Sequence, residues 1–187
     1  MTEKTVLSRF TLPVDVTIRQ VQTEDLSALE WDGRFTEHRS IIENTFRGQT
    51  AGRQLMLVAE ARGASVGQVW IDLDRYRSER IGIIWALRVR SPLKGLGLGT
   101  RLIEQAEHAL ISREYLQAQI GVEPHNAGAI RLYQRLGYLP AGEEIDRIRY
   151  HTPEGELREY DMPLLLFRKR LSRTVAPARA ERRSRVI

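Results

Sequence analysis

The chain has 187 residues, enough for one domain with a sizeable core, and its net charge is +5. Hydrophobic residues make up 42% of it and charged residues 28%, a balance that excludes a disordered chain and a membrane-embedded one. The sequence contains no cysteine, which excludes a disulfide framework, a thiolate nucleophile and a thiolate metal site.

The positive charge is concentrated at the carboxyl-terminal end. From Arg168 onward there are eight basic residues and one acidic residue, so this segment carries +7 and residues 1–167 carry −2. We interpret residues 172–187, rich in Arg, Ala, Ser and Pro, as a basic, disordered tail after a single domain of residues 1–171. Such a tail is able to bind RNA or an anionic surface, but a solvated terminus is favoured, so nucleic acid is not an expected partner.

The first half of the chain predicts a strand, two helices and a three-strand meander. Val14–Val21 is typical of a strand, and Thr23 follows as the N-cap of a first helix with acidic residues in its first turn. Thr36 is the predicted cap of a second helix with apolar residues on one side. The three strand-like runs that follow are Leu55–Ala61, Val66–Leu73 and Ile81–Val89.

The spacing of the apolar residues changes after the meander. Between Thr100 and Tyr115 it is that of an amphipathic helix, and Leu116–Val122 returns to a strand pattern. Asn126 is the predicted cap of a further helix, which Gly137 ends. Two last runs flank a turn and suggest a closing hairpin: Arg147–Tyr150 and Leu157–Phe167. The order βααβββαβαββ predicts a mixed α/β (α+β) fold whose central, largely antiparallel sheet is flanked by helices.

A glycine-rich loop, Lys94–Gly99, lies between a predicted strand and the amphipathic helix. Its glycines let backbone N–H groups approach a ligand closely, and the free N–H groups at a helix start favour a phosphate. A tight turn also needs glycine, so the loop alone leaves both interpretations open. A P-loop requires Gly-Lys-Ser/Thr where Gly99-Thr100-Arg101 stands, and the dinucleotide fingerprint requires G-x-G-x-x-G where G-x-G-x-G stands. Neither motif is matched.

Two blocks of the sequence resemble the GNAT superfamily of N-acetyltransferases. Val89–Gly99 is similar to motif A of that family, Gln/Arg-x-x-Gly-x-Gly/Ala, with Lys94 in place of the Gln/Arg. Residues 126–138 are similar to motif B, through Asn126, Ala129, Leu132, Tyr133, Leu136, Gly137 and Tyr138. The resemblance covers about residues 14–167, and Trp31-Asp32-Gly33 is similar to bacterial members of the family.

The resemblance implies that acetyl-CoA inserts between two splayed strands, Ile81–Val89 and Leu116–Val122, with its pyrophosphate on the amides of the glycine loop. It implies two catalytic groups: a backbone N–H near Val89 that polarises the thioester carbonyl, and Tyr133, which protonates the departing thiolate. Asn126 caps its helix and contacts the pantetheine arm. The implied cofactor-binding residues are Val89, Lys94, Gly95, Leu96, Gly97, Leu98, Gly99, Thr100 and Asn126.

The general base is not identified by the resemblance. Some members of the family place a glutamate six residues before the position of Val89, where this chain has Ile83. The base therefore comes from elsewhere, acts through water, or is unnecessary for a neutral amine. The candidates are Asp72, Asp74, Glu79, Glu123, Glu37 and His38. The four histidines show no ligand spacing, so no metal is expected.

The sequence therefore predicts an acetyl-CoA-dependent N-acetyltransferase that acts on a primary amine of a small molecule, peptide or protein. A non-catalytic acyl-CoA-binding sensor or scaffold is the alternative, because the strand carboxylate is missing. No apolar run approaches the roughly 20 residues that span a bilayer, and the start Met-Thr-Glu-Lys lacks a secretory pattern. We expect a cytoplasmic protein without membrane contact, and a homodimer stays open.

Overall fold

Seven strands form one sheet, and helices cover its two faces. The computed structural model describes residues 13–172, and the tail predicted from residue 172 onward therefore lies almost wholly outside the described residues. The strands are β1 (Thr17–Gln20), β2 (Gln54–Ala61), β3 (Ala64–Tyr76), β4 (Ile81–Val89), β5 (Gln117–Val122), β6 (Leu139–His151) and β7 (Leu157–Arg170). The α-helices of the described part are α1 (Arg39–Thr50), α2 (Leu98–Ser112) and α3 (Ala127–Arg135).

The strand order across the sheet is β1-β2-β3-β4-β5-β7-β6. Every neighbouring pair is antiparallel except β4 and β5, which run parallel and are joined through α2. A parallel pair needs a crossover connection, and the amphipathic helix supplies it. The predicted fold class, a mixed α/β fold with a largely antiparallel sheet flanked by helices, is confirmed.

The core has one part on each face of the sheet. The larger part contains Leu102, Ile103 and Leu110 of α2, each with no exposed surface. The smaller part joins Ile42 of α1 and Trp70 of β3 to the segment before α1. Burying one Leu or Ile side chain contributes about 1.5–3 kcal/mol, so α2 is held firmly, and so is the glycine loop at its start.

Gly82 on β4 sets the distance between α2 and the sheet. A Cβ built at Gly82 lies only 2.1 Å from Cδ2 of Leu110, which is too short for a contact between two atoms that are not bonded to each other. The missing side chain therefore lets Leu110 pack directly on the backbone of β4. This close approach places the helix start next to the end of the same strand.

The first predicted helix is replaced by two short 3₁₀ segments, Thr23–Asp25 and Ser27–Glu30. The carboxylate of Asp25 binds Arg19 of β1 at 2.6 Å, which ties the turn back to the sheet. Residues 31–33 then all have positive φ, between 50° and 89°. Left-handed residues in succession are costly for L-amino acids and end any helix, so this segment wraps over the sheet as turns.

The second predicted helix exists as α1, but Thr36 is not its N-cap. Thr36 begins a 3₁₀ turn, Thr36–His38, and its hydroxyl donates to Glu30 at 2.7 Å instead of capping the helix. The closing hairpin is much longer than predicted, because β6 pairs with β7 from Leu139 onward, although its first five residues are all exposed and alternation of exposed and half-buried residues begins only at Glu144. Within residues 13–172, the structure contains no helix with the length and apolar character needed to cross a bilayer.

Candidate active site

The two central strands separate halfway along their length. The parallel register of β4 and β5 covers Ile81–Ile84 and Gln117–Ile120 and ends there. Beyond it, β4 stays paired with β3 as far as Val89, and β5 stays paired with β7 as far as Val122. Each strand is thus held by its outer neighbour, and a V-shaped gap opens in the middle of the sheet.

A bulge in β4 directs the strand away from β5. Trp85 lies opposite Trp70 of β3 and Arg88 lies opposite Gln68, so β4 has one extra residue at this point, and Ala86 has a φ of 50°. A bulge bends the strand that carries it. A cleft of about 560 Å³ occupies the gap and is lined by β3, β4, β5, the α3 segment, β6 and β7.

The end of β4 presents a backbone donor to this gap. The N–H of Arg90 donates to the carbonyl of Val66 on the β3 side, at 2.9 Å. Because successive N–H groups of a strand point to opposite sides, the N–H of Val89 points away from β3 and toward the gap. A preorganised donor there is positioned to stabilise an oxygen that becomes negative.

The glycine loop forms an open cradle beside Val89. Gly95 and Gly97 have φ of 79° and 87°, and a Cβ added to either would meet nothing within 4 Å. α2 begins at Leu98 after Gly97, which has no side chain to cap it, so the first-turn N–H groups of the helix face outward. Such N–H groups, with the positive end of the helix dipole, suit a phosphate. The side chain of Lys94 is exposed at the loop's edge.

Gly99 is the point at which β4, α2 and α3 meet. A Cβ at Gly99 would lie 3.5 Å from Cδ2 of Leu132 and 3.9 Å from Cγ2 of Val89. The cradle, the strand end and the helix that carries Tyr133 therefore border one space. Of the predicted site residues, Tyr133 and Asn126 line the cleft, whereas Val89 and Lys94–Thr100 are not among its lining residues and lie beside α3 through Gly99.

Tyr133 projects from α3 into the cleft and is 6% exposed. Its ring lies 6.2 Å from that of Tyr138 and 6.5 Å from that of Phe167, centroid to centroid. Within the described residues, its hydroxyl has no hydrogen-bond partner. Burial raises the pKa of Tyr133 to about 12, so the phenol keeps its proton at neutral pH. Asn126, as predicted, caps α3 by accepting from the N–H of Ala129 at 3.2 Å.

Three of the six candidate bases line the cleft: Asp72, Glu123 and His38. Glu37, Asp74 and Glu79 are not among its lining residues. Two carboxylates of β6, Glu144 and Asp146, also line it, and both face Arg75, with which Glu144 forms an ion pair. Among the described residues, no three His, Cys, Asp or Glu side chains are grouped so that they could hold a metal ion.

Arg88 is a cleft residue that the sequence analysis missed. Its guanidinium carbon lies 4.1 Å from the ring centroid of Phe35 and 5.6 Å from that of Trp70. Burial lowers the pKa of Arg88 to about 10, so it is still a cation at neutral pH. The signal was available, because Arg88 is the lone charged residue in the otherwise apolar run Ile81–Val89.

The comparisons with known proteins agree with this geometry. A family model described as "Acetyltransferase (GNAT) family" matches residues 21–138. An N-alpha-acetyltransferase MAK3 of Arabidopsis thaliana is 31% identical over 88 residues, which are 47% of this chain and 46% of the relative, about half its length.

Solved structures share the fold over most of the chain. An N-acetyltransferase from Staphylococcus aureus Mu50 superposes with a TM-score of 0.66 at 16% identity, covering 84% of this chain and 99% of the other. An acetyltransferase from Salmonella typhimurium, solved with its cofactor acetyl-CoA, gives a TM-score of 0.62 at 20% identity and covers 88% of this chain and 98% of the other. The ribosomal-protein-S18-alanine N-acetyltransferase of Escherichia coli gives a TM-score of 0.60 at 23% identity, covering 84% and 95%.

The family model over residues 21–138 places the chain among the acetyltransferases. The chain belongs to the GNAT family of acetyltransferases, whose members transfer an acetyl group from acetyl-CoA.

Proposed function

We propose that this protein transfers the acetyl group of acetyl-CoA directly to a primary amine. The observation that carries the proposal is the parting of β4 and β5, which turns the N–H of Val89 toward the gap beside the cleft that Tyr133 lines. Direct transfer fits this arrangement, because the donor and the amine can enter one cleft from opposite faces of the sheet. A mechanism through a cysteine acyl-enzyme is excluded, because the chain has no cysteine.

The donor is placed with its phosphates on the glycine cradle and its thioester at the end of β4. The cradle provides backbone N–H groups of Gly95, Leu96, Gly97, Leu98, Gly99 and Thr100, with Lys94 as the flanking cation. The absence of Cβ atoms at Gly95 and Gly97 leaves open space there, so phosphate oxygens can reach the backbone. Asn126 lies on the cleft wall, where the pantetheine arm would pass.

The chemical step needs a hydrogen-bond donor that stabilises the negative charge on the carbonyl oxygen, a general acid and a general base. The amine nitrogen attacks the thioester carbonyl carbon, and the N–H of Val89 stabilises the charge that develops on the carbonyl oxygen. The C–S bond then breaks, and the sulfur takes the proton of Tyr133, which is later replaced from solvent. The burial that raises the pKa of Tyr133 also raises that of a thiol beside it, so proton transfer between the two stays feasible.

Glu123 is the proposed acceptor of the proton that the amine loses. Asp72 already accepts hydrogen bonds from the N–H groups of Asp74 and Arg75, and the carboxylates of β6 face the guanidinium of Arg75. Burial and the charge of Arg88 lower the pKa of His38, which makes it a weaker base. Among the described residues, the carboxylate of Glu123, immediately after β5, forms one ion pair, with the exposed His125 at 4.0 Å, so it is available to take the proton through water.

Replacing Glu123 with glutamine is expected to lower kcat/KM by about tenfold, below the ~10²-fold of a direct general base, because water relays the proton. Acetyl-CoA affinity is expected to stay unchanged. The measurement is the initial rate of free-thiol release across pH 6–9, with Glu79→Gln as the control, since Glu79 does not line the cleft. A Glu123→Gln enzyme with the wild-type rate throughout this range would remove Glu123 from the role.

The test of the function itself is a calorimetric titration with acetyl-CoA, 3′-dephospho-CoA and free CoA, followed by a panel of amines with a free-thiol readout. We expect micromolar binding of acetyl-CoA and acetyl transfer to an amine. Binding without transfer to any amine would favour the alternative, a non-catalytic acyl-CoA-binding module, because Ile83 provides no carboxylate on the cleft side of β4. Absence of binding would contradict both.

The remaining expectations stay predictions. They include a single domain over residues 1–171 followed by a basic disordered tail over residues 172–187. They also include a cytoplasmic location and the absence of a nucleic-acid or membrane partner, and whether the protein forms a homodimer is left open. The acceptor is an amine of a small molecule, peptide or protein. Two relatives, named as an N-alpha-acetyltransferase and as a ribosomal-protein-S18-alanine N-acetyltransferase, favour a peptide or protein acceptor among these classes, but they do not establish the acceptor of this chain.

A further inference from the structure

The cleft has a second face that the donor does not use. The side chain of Val89 belongs to the core beneath α2 and α3, where the glycine cradle lies. Neighbouring side chains of a strand point to opposite faces, so Arg88 projects to the other face, beneath the segment that carries Phe35 and His38. With the donor's phosphates on one face, this opposite face is where an acceptor enters.

Arg88 differs from the other arginines of the cleft wall. Arg75, Arg147 and Arg149 each lie against a carboxylate of β6 or β7, at Glu144, Asp161 and Glu159 respectively. Arg88 forms no ion pair within the described residues, and its Nη1 atom is buried without a hydrogen-bond partner. Its ring contacts are with Phe35 and Trp70, and the titratable groups that act on it electrostatically are the phenol of Tyr160, the guanidinium of Arg34 and the imidazole of His38.

We propose that Arg88 binds a carboxylate on the acceptor, so that the amine this enzyme acetylates belongs to a molecule that also carries a carboxylate. This inference rests on the proposed acetyl transfer. A guanidinium presents its donors in a planar fork that matches a carboxylate, and a buried charge is costly until it is paired. The ring of Phe35, 4.1 Å from the guanidinium carbon, fixes the plane of that fork.

The charges of the cleft are arranged for an acceptor with both signs. Among the described residues, Arg88 on β4 is a cation without an ion pair, and the carboxylate of Glu123, on the opposite wall, forms no ion pair with an arginine. An ammonium group is attracted to the Glu123 wall and a carboxylate to Arg88, which orients the nitrogen toward the gap near Val89. The lowered pKa of Arg88, about 10, leaves it charged at pH 7 and reflects the cost of its burial in the unliganded protein.

The experiment compares amino acids with their own carboxamides as acceptors of the wild-type enzyme and of Arg88→Met. Each pair shares the amine and the side chain, so only the carboxylate differs. We expect the wild type to prefer the amino acid, and Arg88→Met to lower kcat/KM for it by about 30-fold, the size of one charge-assisted hydrogen-bonded pair. The loss for the carboxamide is expected to stay within about threefold, well below one such pair. Dipeptides with a free carboxylate, and their amides, distinguish a free amino acid from a peptide acceptor.

Two further variants separate recognition from structure. Arg88→Lys keeps the charge without the fork and is expected to recover part of the preference, whereas Arg47→Met, at an exposed position on α1, controls for loss of an arginine. Because Arg88 is half-buried and has no ion pair among the described residues, the thermal midpoint of Arg88→Met is not expected to fall. A lower midpoint with equal losses for both members of each pair would overturn the proposal in favour of a structural role.

The outcome also distinguishes this inference from the proposed function. Acetyl-CoA affinity, measured by calorimetry on the same variants, reports the donor site alone. If amines are acetylated but the carboxylate and carboxamide forms react equally, acetyl transfer stands and the carboxylate assignment to Arg88 is wrong. If wild-type protein binds acetyl-CoA and acetylates no amine in either form, the transferase proposal is contradicted, and this inference with it.

Discussion

Replacing Tyr133 with phenylalanine is expected to lower kcat by about 10²–10³-fold, the range of a positioned general acid, while the affinity for acetyl-CoA changes by less than about twofold. The reason is that phenylalanine keeps the ring between Tyr138 and Phe167 and removes only the proton that the departing sulfur needs. Since the hydroxyl has no partner in the described residues, its removal leaves no buried group unpaired. The measurement is single-turnover thiol release beside calorimetric titration with acetyl-CoA.

The neighbouring Tyr138 provides the matched control. It is 1% exposed and its ring contacts that of Tyr133, but it does not line the cleft. Tyr138→Phe makes the same chemical change within the same core and is expected to leave kcat within about twofold, since it removes no acid from the reacting groups. If the two variants lose activity equally, the effect of Tyr133→Phe is one of packing and the acid role is wrong.

The pH dependence gives an independent check on Tyr133. An acid works in its protonated form, so a raised pKa extends activity to higher pH. With a pKa of about 12, the phenol is almost wholly protonated at pH 10, and no falling limb of kcat below pH 10 is expected from it. A decrease of kcat near pH 9 in the wild type that is absent from Tyr133→Phe would show that the pKa of Tyr133 is much lower than its burial predicts.

The elements that border the site were predictable from the sequence because their signals are local. The amphipathic spacing fixed α2, Asn126 marked the start of α3, and the glycine run marked the loop between β4 and α2. The opening between β4 and β5 was predicted from the resemblance of two motifs and not from composition, because the register of a parallel pair leaves no local signal in the sequence. In the structure it depends on the bulge at Ala86 and on the outer strands that hold each side.

The parts that sequence reasoning missed depend on tertiary contacts. The segment after Thr23 has good helix caps, but the ion pair of Asp25 with Arg19 and the left-handed residues 31–33 turn it over the sheet. The start of β6 carries so much charge that it resembles a loop, and only its pairing with β7 makes it a strand. Arg88 looks like an ordinary strand arginine until the structure shows that no carboxylate of the described residues pairs with it.

The availability of Glu123 is a further property that only the structure reveals. In the sequence it is one of six candidate bases of equal standing. In the structure, the carboxylate of Asp72 accepts a backbone hydrogen bond, and the carboxylates of β6 face the guanidinium of Arg75. Glu123 is therefore preferred as the base because the other carboxylates of the cleft already have such partners. Arg88, which has no ion pair among the described residues, and Glu123, which pairs there only with the exposed His125, thus define the site as much as the motif residues do.

Gly97→Trp is expected to weaken acetyl-CoA binding by about 100-fold, because an indole would fill the open cradle and displace the phosphate oxygens from at least two backbone donors worth about 1.5 kcal/mol each. Gly97 has a φ of 87° and no atom within 4 Å of its Cβ direction, so the side chain enters the space that the donor needs without colliding with the protein. The measurement is the Kd of acetyl-CoA by calorimetry.

The strain of a side chain at positive φ must be separated from the loss of the cradle. Gly63, in the turn between β2 and β3, has a φ of 77° and likewise nothing within 4 Å of its Cβ direction. Gly63→Trp therefore carries the same cost of about 1–2 kcal/mol for a left-handed L-residue, but it lies away from the donor site. Equal loss of thermal stability in the two variants, with loss of acetyl-CoA affinity in Gly97→Trp alone, is the expected pattern. Unaltered affinity in Gly97→Trp would mean that the loop is only a turn, and the placement of the donor's phosphates would then be wrong.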